Sequence, residues 1–202
     1  MSDNKSVSGV ILASGFSSRF RGDKLSAKLD EKPIVAYAVE NALNSELAEV
    51  IVVIDPDNKA VRKLMPDKVK IAENRHREEG ISSAVKAGLK SVDENSTAAL
   101  FLVGDQPFVS PALINRIVKA YLEEDCQIVS CSHKGVWKNP MLFDRSFFEQ
   151  LLSIAGDVGA KQVALLNPDR VCTVEVKDPF PLFDIDTFED LEKARRLKTM
   201  VD

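Results

Sequence analysis

Histidine is nearly missing from this chain. His76 and His133 are the only two, they lie in separate segments, and a histidine-based triad or a histidine zinc site therefore lacks its raw material. Both read as surface or turn residues. Cysteine is also scarce: Cys126, Cys131 and Cys172 make an odd number at spacings that fit neither a zinc ribbon nor a CxxC redox pair. They read as reduced thiols, two of them buried in a strand. A basic excess is absent, since 27 Lys plus Arg stand against 31 Asp plus Glu for a net charge of −4, which excludes a strongly basic nucleic-acid binder. Long apolar runs are absent too. Val50 to Ile54 and Ala98 to Val103 fall far short of the roughly 20 residues that span a bilayer. Residues 1–8 are polar, unlike a signal peptide, so the expectation is a soluble, cytoplasmic protein with neither nucleic acid nor membrane as partner. No repeat, low-complexity tract or Gly/Pro/Ser-rich linker divides the 202 residues, and a single domain over 1–202 is expected.

What is present is an alternation. Short β-branched runs at Val7–Ala13, Val50–Asp55, Lys68–Ala72, Ala98–Val103 and Gln127–Cys131 are separated by segments of helical period. The helical segments are Ile34–Leu43, Asn58–Leu64, Ile81–Val92, Pro111–Leu122, Phe147–Leu152, Val158–Leu166 and Thr187–Leu197. Ser110 before Pro111 reads as an N-cap with proline at the first helical position, and Asp186-Thr187 precede an acidic first turn. Strands apolar on both faces and spaced by helices imply a three-layer α/β domain with a mostly parallel sheet. Val136–Phe143, after Lys134-Gly135, reads as a hairpin or antiparallel edge, and Pro179 to Pro181 as irregular. Glu123, Glu124 and Asp125 read as a solvated helix end.

Ligands in such sheets bind beyond the carboxyl ends of the strands, and two segments there carry chemistry. Strand one runs into Leu12-Ala13-Ser14-Gly15-Phe16-Ser17-Ser18-Arg19-Phe20-Arg21-Gly22-Asp23-Lys24. Small residues let backbone N–H groups approach phosphate oxygens, and Arg19 and Lys24 supply fixed positive charge; by composition alone the segment is equally a solvated loop. Neither GxxxxGK[ST] nor GxGxxG is present, which counts against P-loop hydrolysis and a dinucleotide cofactor. Asp105 follows the strand Ala98–Val103 through Gly104, while Asp184 and Asp186 follow a second short extended segment and precede a helix. Paired carboxylates suit magnesium, which takes hard oxygen ligands beside substrate phosphates. A turn role for Asp105 and an N-cap role for Asp186 stand beside that reading.

The string LASGFSSRFRGDKL with Lys32-Pro33 resembles the LAxGxSxRMGxxKxL signature of the MobA/MocA-like nucleotidyltransferases. Four further segments resemble that family in the same order: EEGISSAVKAGL (Glu78 to Leu89), GDQPFVSP (Gly104 to Pro111), Asn139 to Lys161 with its GDVGAK, and DIDTFEDL (Asp184 to Leu191). The resemblance implies a Rossmann-like nucleotidyltransferase fold and a magnesium-dependent transfer of NMP from an NTP to a phosphorylated acceptor. It implies Arg19, Lys24 and Asp105 as catalytic residues, with Asp105, Asp184 and Asp186 at the metal. Leu12, Ala13, Ser14, Gly15, Asn74, Gly80, Ser82 and Ser83 would bind the nucleotide, with Ser82 and Ser83 facing the base. Lys138, Asn139 and Asp157 would meet the acceptor, and Trp137 reads as either a packing residue or a neighbour of that substrate. GDVGAK and DIDT are nearer the MocA branch. The implied acceptor is molybdopterin, with a molybdoenzyme or its chaperone as protein partner.

The chain departs from the family pattern at Ser14, Arg21, Lys28, Ala84 and Asn139. Ser14 and Ala84 fall where the base pocket is expected. Ser14 is close in volume to the alanine of the cytidylyl relatives, and this favours CTP over GTP; its hydroxyl can serve either base edge. Lys28 reads as an added phosphate contact or a solvated cation.

Overall fold

Four of the five apolar runs form strands buried on both faces, while within the strand formed from Lys68–Ala72 only Ala72 is buried. The computed structural model describes residues 5–20 and 22–198, so Arg21 lies outside the described residues. Among them, β1 (Val7–Ala13), β4 (Glu49–Ile54), β5 (Lys70–Glu73), β6 (Ala98–Val103), β7 (Ile128–His133), β8 (Val136–Asp144) and β9 (Val171–Glu175) make one sheet in the order β5-β4-β1-β6-β8-β7-β9. β2 (Lys28–Leu29) and β3 (Lys32–Pro33) form a small separate ribbon. Every pairing in the main sheet is parallel except those of β8, which runs antiparallel to both β6 and β7.

Helices cover both faces. α1 (Ile34–Leu43), α2 (Lys59–Lys63) and α4 (Pro111–Glu123) pack with Ile11, Val52 and Leu100 on one side. On the other, α3 (Ile81–Leu89), α5 (Phe148–Ser153) and α6 (Lys161–Leu166) pack with Val10, Val53 and Phe101. A side chain at Gly88 would come within 2.4 Å of Val10, so only glycine lets α3 lie this close to the sheet. α7 (Phe188–Lys198) closes a third cluster in which Leu191 and Ala194 meet Phe20, Leu29 and Ile34. Ser110 caps α4, its hydroxyl accepting from the Leu113 N–H at 3.2 Å. None of the helices among the described residues is long and apolar enough to cross a membrane.

One expectation is decided between its two alternatives and two are corrected. Val136–Phe143 does form a hairpin with β7, turning at Lys134 and Gly135 with φ of 50° and 75°, but it is an interior strand and no edge. Its half from Pro140 to Phe143 is buried, so it must be covered on both sides, and β9 takes the edge. Cys126 and Cys172 are joined, with Cα atoms 5.8 Å apart, where three reduced thiols were expected. The parallel register of β7 with β9, Ile128 opposite Val171, brings together sulfurs that are 46 residues apart in sequence. Only Cys131 is a free thiol among the described residues; burial in β7 pushes it up to about 12, which makes it inert. Pro179 to Pro181, expected to be irregular, contains the short 3-10 turn Phe180–Leu182.

Candidate active site

The chain leaves β1 toward β4 on one side and returns to β6 on the other, so the crevice of the sheet opens at the carboxyl ends of β1 and β6. Leu12 lies opposite Val103 there, and the Gly104 N–H donates to the Leu12 carbonyl at 3.0 Å. This stitch fixes the loop after β1 against the turn that carries Asp105. The cleft between them holds about 440 Å3 and is lined by both loops and by the start of α3.

One end of the cleft is charged. Lys24 Nζ lies 2.6 Å from Asp105 Oδ2 and 3.0 Å from Asp186 Oδ1, and Arg19 reaches the other Asp186 oxygen at 3.0 Å. Burial alone would lower the Lys24 pKa, but the two carboxylates outweigh it and hold the ammonium above its ordinary value. Asp184 accepts from Gln106 Nε2 at 2.9 Å. It is exposed as a residue, yet crowding of its carboxyl by protein, then the charges of Asp105 and Asp186, push that carboxyl up to about 6 against the pull of Gln106 and Lys138. Asp105 and Asp186 thus share Lys24, and Asp184 stands near enough to feel the charge of both. The second oxygen of Asp105 is buried without a hydrogen-bond partner. The three aspartates are not drawn together around one point, but magnesium is usually held by one or two carboxylates beside substrate phosphates, and the unpartnered Asp105 oxygen is a hard ligand of that kind.

Asp186 is free for this because it is not the helix cap. Thr187 caps α7: its hydroxyl accepts from the Asp190 N–H at 3.1 Å while Asp190 Oδ2 accepts from the Thr187 N–H at 2.9 Å, a reciprocal box. The N-cap alternative for Asp186 is thereby corrected.

The other end is neutral. Asn74, 3% exposed, donates through Nδ2 to the Ser14 and Ser83 hydroxyls at 3.0 Å each, and its own oxygen accepts from the His76 N–H at 3.2 Å. Ser83 in turn donates to the Gly80 carbonyl at 2.7 Å. Ser14, Asn74 and Gly80 line the cleft, whereas Ser82 and Ser83, expected to face the base, are buried behind a wall made by Gly80, Ile81 and Ala84. The Ser83 hydroxyl is consumed by the network, and the apolar neighbours are left on the surface. Gly80 has φ +89°, and a side chain on it would strike the Gly156 carbonyl group at about 2.5 Å.

Leu12, Ala13, Gly15, Arg19, Lys24, Asp105 and Asp157 also line the cleft. Lys138 is exposed and acts electrostatically on Asp184, Asn139 stands beside it on β8, and Trp137, half-buried, packs against the core. Lys28 faces Glu31 at 3.8 Å on the surface, which matches its solvated reading. Sequence reasoning missed three members. Gln106 is buried and holds Asp184, and its place directly after Asp105 was the available signal. Phe16, 58% exposed, lies under the Arg77 guanidinium at 4.4 Å, and Arg77 is ion-paired to the buried Asp55. An aromatic residue inside a loop of small residues was the clue to that pair.

The pattern of the MobA-like NTP transferase domain matches residues 9–171. The chain belongs to this family. It is 33% identical over 141 residues, 66% of its length, to the "Probable molybdenum cofactor guanylyltransferase" of Thermococcus sibiricus. It is 27% identical over 200 residues to the purine catabolism protein PucB of Bacillus subtilis, covering 93% of this chain and 95% of PucB. It spans 64% of the Thermococcus protein and only 26% of the bifunctional protein GlmU of Symbiobacterium thermophilum, to which it is 30% identical over 122 residues. Among solved structures, Rv0371c of Mycobacterium tuberculosis superposes with a TM-score of 0.84 at 23% identity, covering 95% of this chain and 98% of that one. A structure of Rv0371c in complex with manganese superposes at 0.77, with 22% identity and 95% and 99% of the two chains covered. The nucleotidyltransferase fold is therefore that of this chain as well.

Proposed function

We propose that this nucleotidyltransferase joins an NMP group from a magnesium-bound NTP to a phosphorylated small molecule, with CTP as nucleotide and molybdopterin as acceptor, in the cytoplasm. The observation that carries the reading is the charged end of the cleft, where Lys24 and Arg19 pair with Asp105 and Asp186, and Asp105 keeps an unpartnered buried oxygen. An acceptor phosphate oxygen attacks the α-phosphorus in line; the new P–O bond forms as the α–β bond breaks and pyrophosphate leaves. The acceptor phosphate is already ionised at pH 7, so no general base is needed. Asp105 and Asp184, with Asp186 beside them, would hold the magnesium ion. When bound, the ion supplies charge neutralisation on the phosphates. Lys24 and Arg19 swing from carboxylate to phosphate partners and stabilise charge growing on the α-phosphate and the leaving group. A protein of this fold crystallised with manganese supports a divalent ion here.

Base choice rests on Ser14. Its oxygen accepts from Asn74, which leaves the hydroxyl proton to donate, and a donor suits cytosine N3 or O2 and also guanine O6. Guanylyl transfer stays as the second reading because the Thermococcus relative carries that name. The test is pyrophosphate release with each NTP, magnesium and molybdopterin or other phosphorylated acceptors, then CTP and GTP in direct competition. A cytidylyl adduct is expected. A guanylyl adduct overturns the base assignment, and no pyrophosphate with any pair overturns the transferase reading.

A further inference from the structure

Five charged residues line the main cleft: Arg19, Lys24, Arg77, Asp105 and Asp157. Four are neutralised in place, Arg19 by Asp186, Lys24 and Asp105 by one another, and Arg77 by Asp55. The exception is Asp157, whose carboxylate has no hydrogen bond or ion pair among the described residues. A bare anion in a cleft built for a polyphosphate repels most of its ligand, so where it stands decides what it can touch.

Asp157 stands at the end away from Lys24 and Arg19. Its loop is sewn to the start of α3: the Ser82 N–H donates to the Gly156 carbonyl at 3.2 Å, and a side chain at Gly80 would come within 2.7 Å of the Asp157 nitrogen. Only a glycine at position 80 allows that approach. The same loop meets α3 again where Gly159 faces Ile81. Asp157 is therefore fixed to the wall that holds Gly80, Ile81 and Ala84. With the triphosphate at the cationic end, this wall faces the neutral part of the nucleotide. A carboxylate can only accept hydrogen bonds, and the donors a nucleoside offers are ribose hydroxyls and an exocyclic amino group.

We infer that Asp157 is a specificity residue for the nucleoside, accepting from its ribose hydroxyls or exocyclic amine, and does not belong to the acceptor site. The inference rests on the nucleotidyltransferase reading of the cleft. Its test is equilibrium binding by calorimetry, with magnesium and without acceptor, of CTP, 2′-deoxy-CTP and UTP, and of GTP, 2′-deoxy-GTP and ITP, to wild type, Asp157→Ala and Asp157→Asn. Loss of a hydrogen bond to a charged group predicts that Asp157→Ala binds the preferred nucleotide ~10-fold or more weakly. It should bind the analogue lacking the relevant donor as wild type does, so that the preference disappears, while Asp157→Asn keeps part of it. Collapse of the ribose preference identifies the hydroxyls as the partner; collapse of the CTP/UTP or GTP/ITP preference identifies the amine. Unchanged affinity and preference in Asp157→Ala, or a defect confined to the acceptor KM, overturns the inference while leaving the transferase reading intact. Failure of the wild-type chain to bind any NTP overturns both.

Discussion

The two ends of the cleft are held together by opposite means. At the charged end, Lys24, Arg19, Asp105, Asp184 and Asp186 neutralise each other incompletely, with one oxygen orphaned and one carboxyl held up to about 6. At the neutral end, Asn74, Ser14, Ser83 and Gly80 form a buried network in which both amide hydrogens and the Asn74 oxygen are engaged. On the proposed reading the first arrangement would exchange partners when phosphates and a cation arrive, whereas the second is held together within the chain and keeps only the Ser14 hydroxyl proton for a ligand. Substitutions at the charged end should therefore damage turnover more than folding, and those at the neutral end should damage folding too.

The sharpest test of that contrast is Asp105→Asn. Turnover should fall ~1000-fold, on the upper scale of losing one preorganised electrostatic contact, with a thermal midpoint near or above wild type because a crowded negative charge is removed. Low midpoint and retained turnover would reverse the comparison. Lys24→Ala should cost ~100-fold in turnover, and it also leaves Asp105 and Asp186 facing each other without their shared cation. The metal-free variant should thus unfold earlier than wild type, and added magnesium should return part of the loss. Asn74→Ala leaves two buried hydroxyls without their donor and should lower stability by ~2 kcal/mol, measurable by chemical denaturation, a change that Arg19→Ala should not produce. Arg19 is 70% exposed, so its removal should cost about tenfold in turnover and almost nothing in stability.

The smallest effect is a pH dependence. A folded pKa of about 6 for Asp184 lies above its ordinary value of 3.8, so the folded chain binds that proton more tightly than the unfolded one. The contribution is fully present below pH 3.8 and is lost as pH rises through about 6. Unfolding of the metal-free chain should show this slope between those limits, and Asp184→Asn should flatten it; an unchanged profile in that variant would place the slope elsewhere.

Much of this was readable before the structure, for reasons that differ by residue. β1, β6 and α1 were legible because unbroken apolar runs and clear helical spacing leave one solution, and Lys24 and Asp105 because small residues and a glycine mark strand ends. β9 was hidden: Val171 to Glu175 is short and half exposed, and its pairing with β7 is a long-range fact with no local signature. The same holds for the Cys126–Cys172 bond, which depends on that pairing. Serine side chains near a base pocket look like readers of the base, yet Ser83 is spent on Asn74 and Gly80, and only three-dimensional accounting of donors reveals it. Asp186 looked like a cap until Thr187 and Asp190 were seen to cap one another.

The central claim is that Asp105 anchors a divalent ion which arrives with the triphosphate. Manganese binding followed by electron paramagnetic resonance, with CTP or GTP present, tests it directly on wild type and Asp105→Asn. One tightly bound ion per wild-type chain that depends on the nucleotide, and its loss in Asp105→Asn while the nucleotide still binds, is the predicted result. The same ion bound equally well by Asp105→Asn would contradict it.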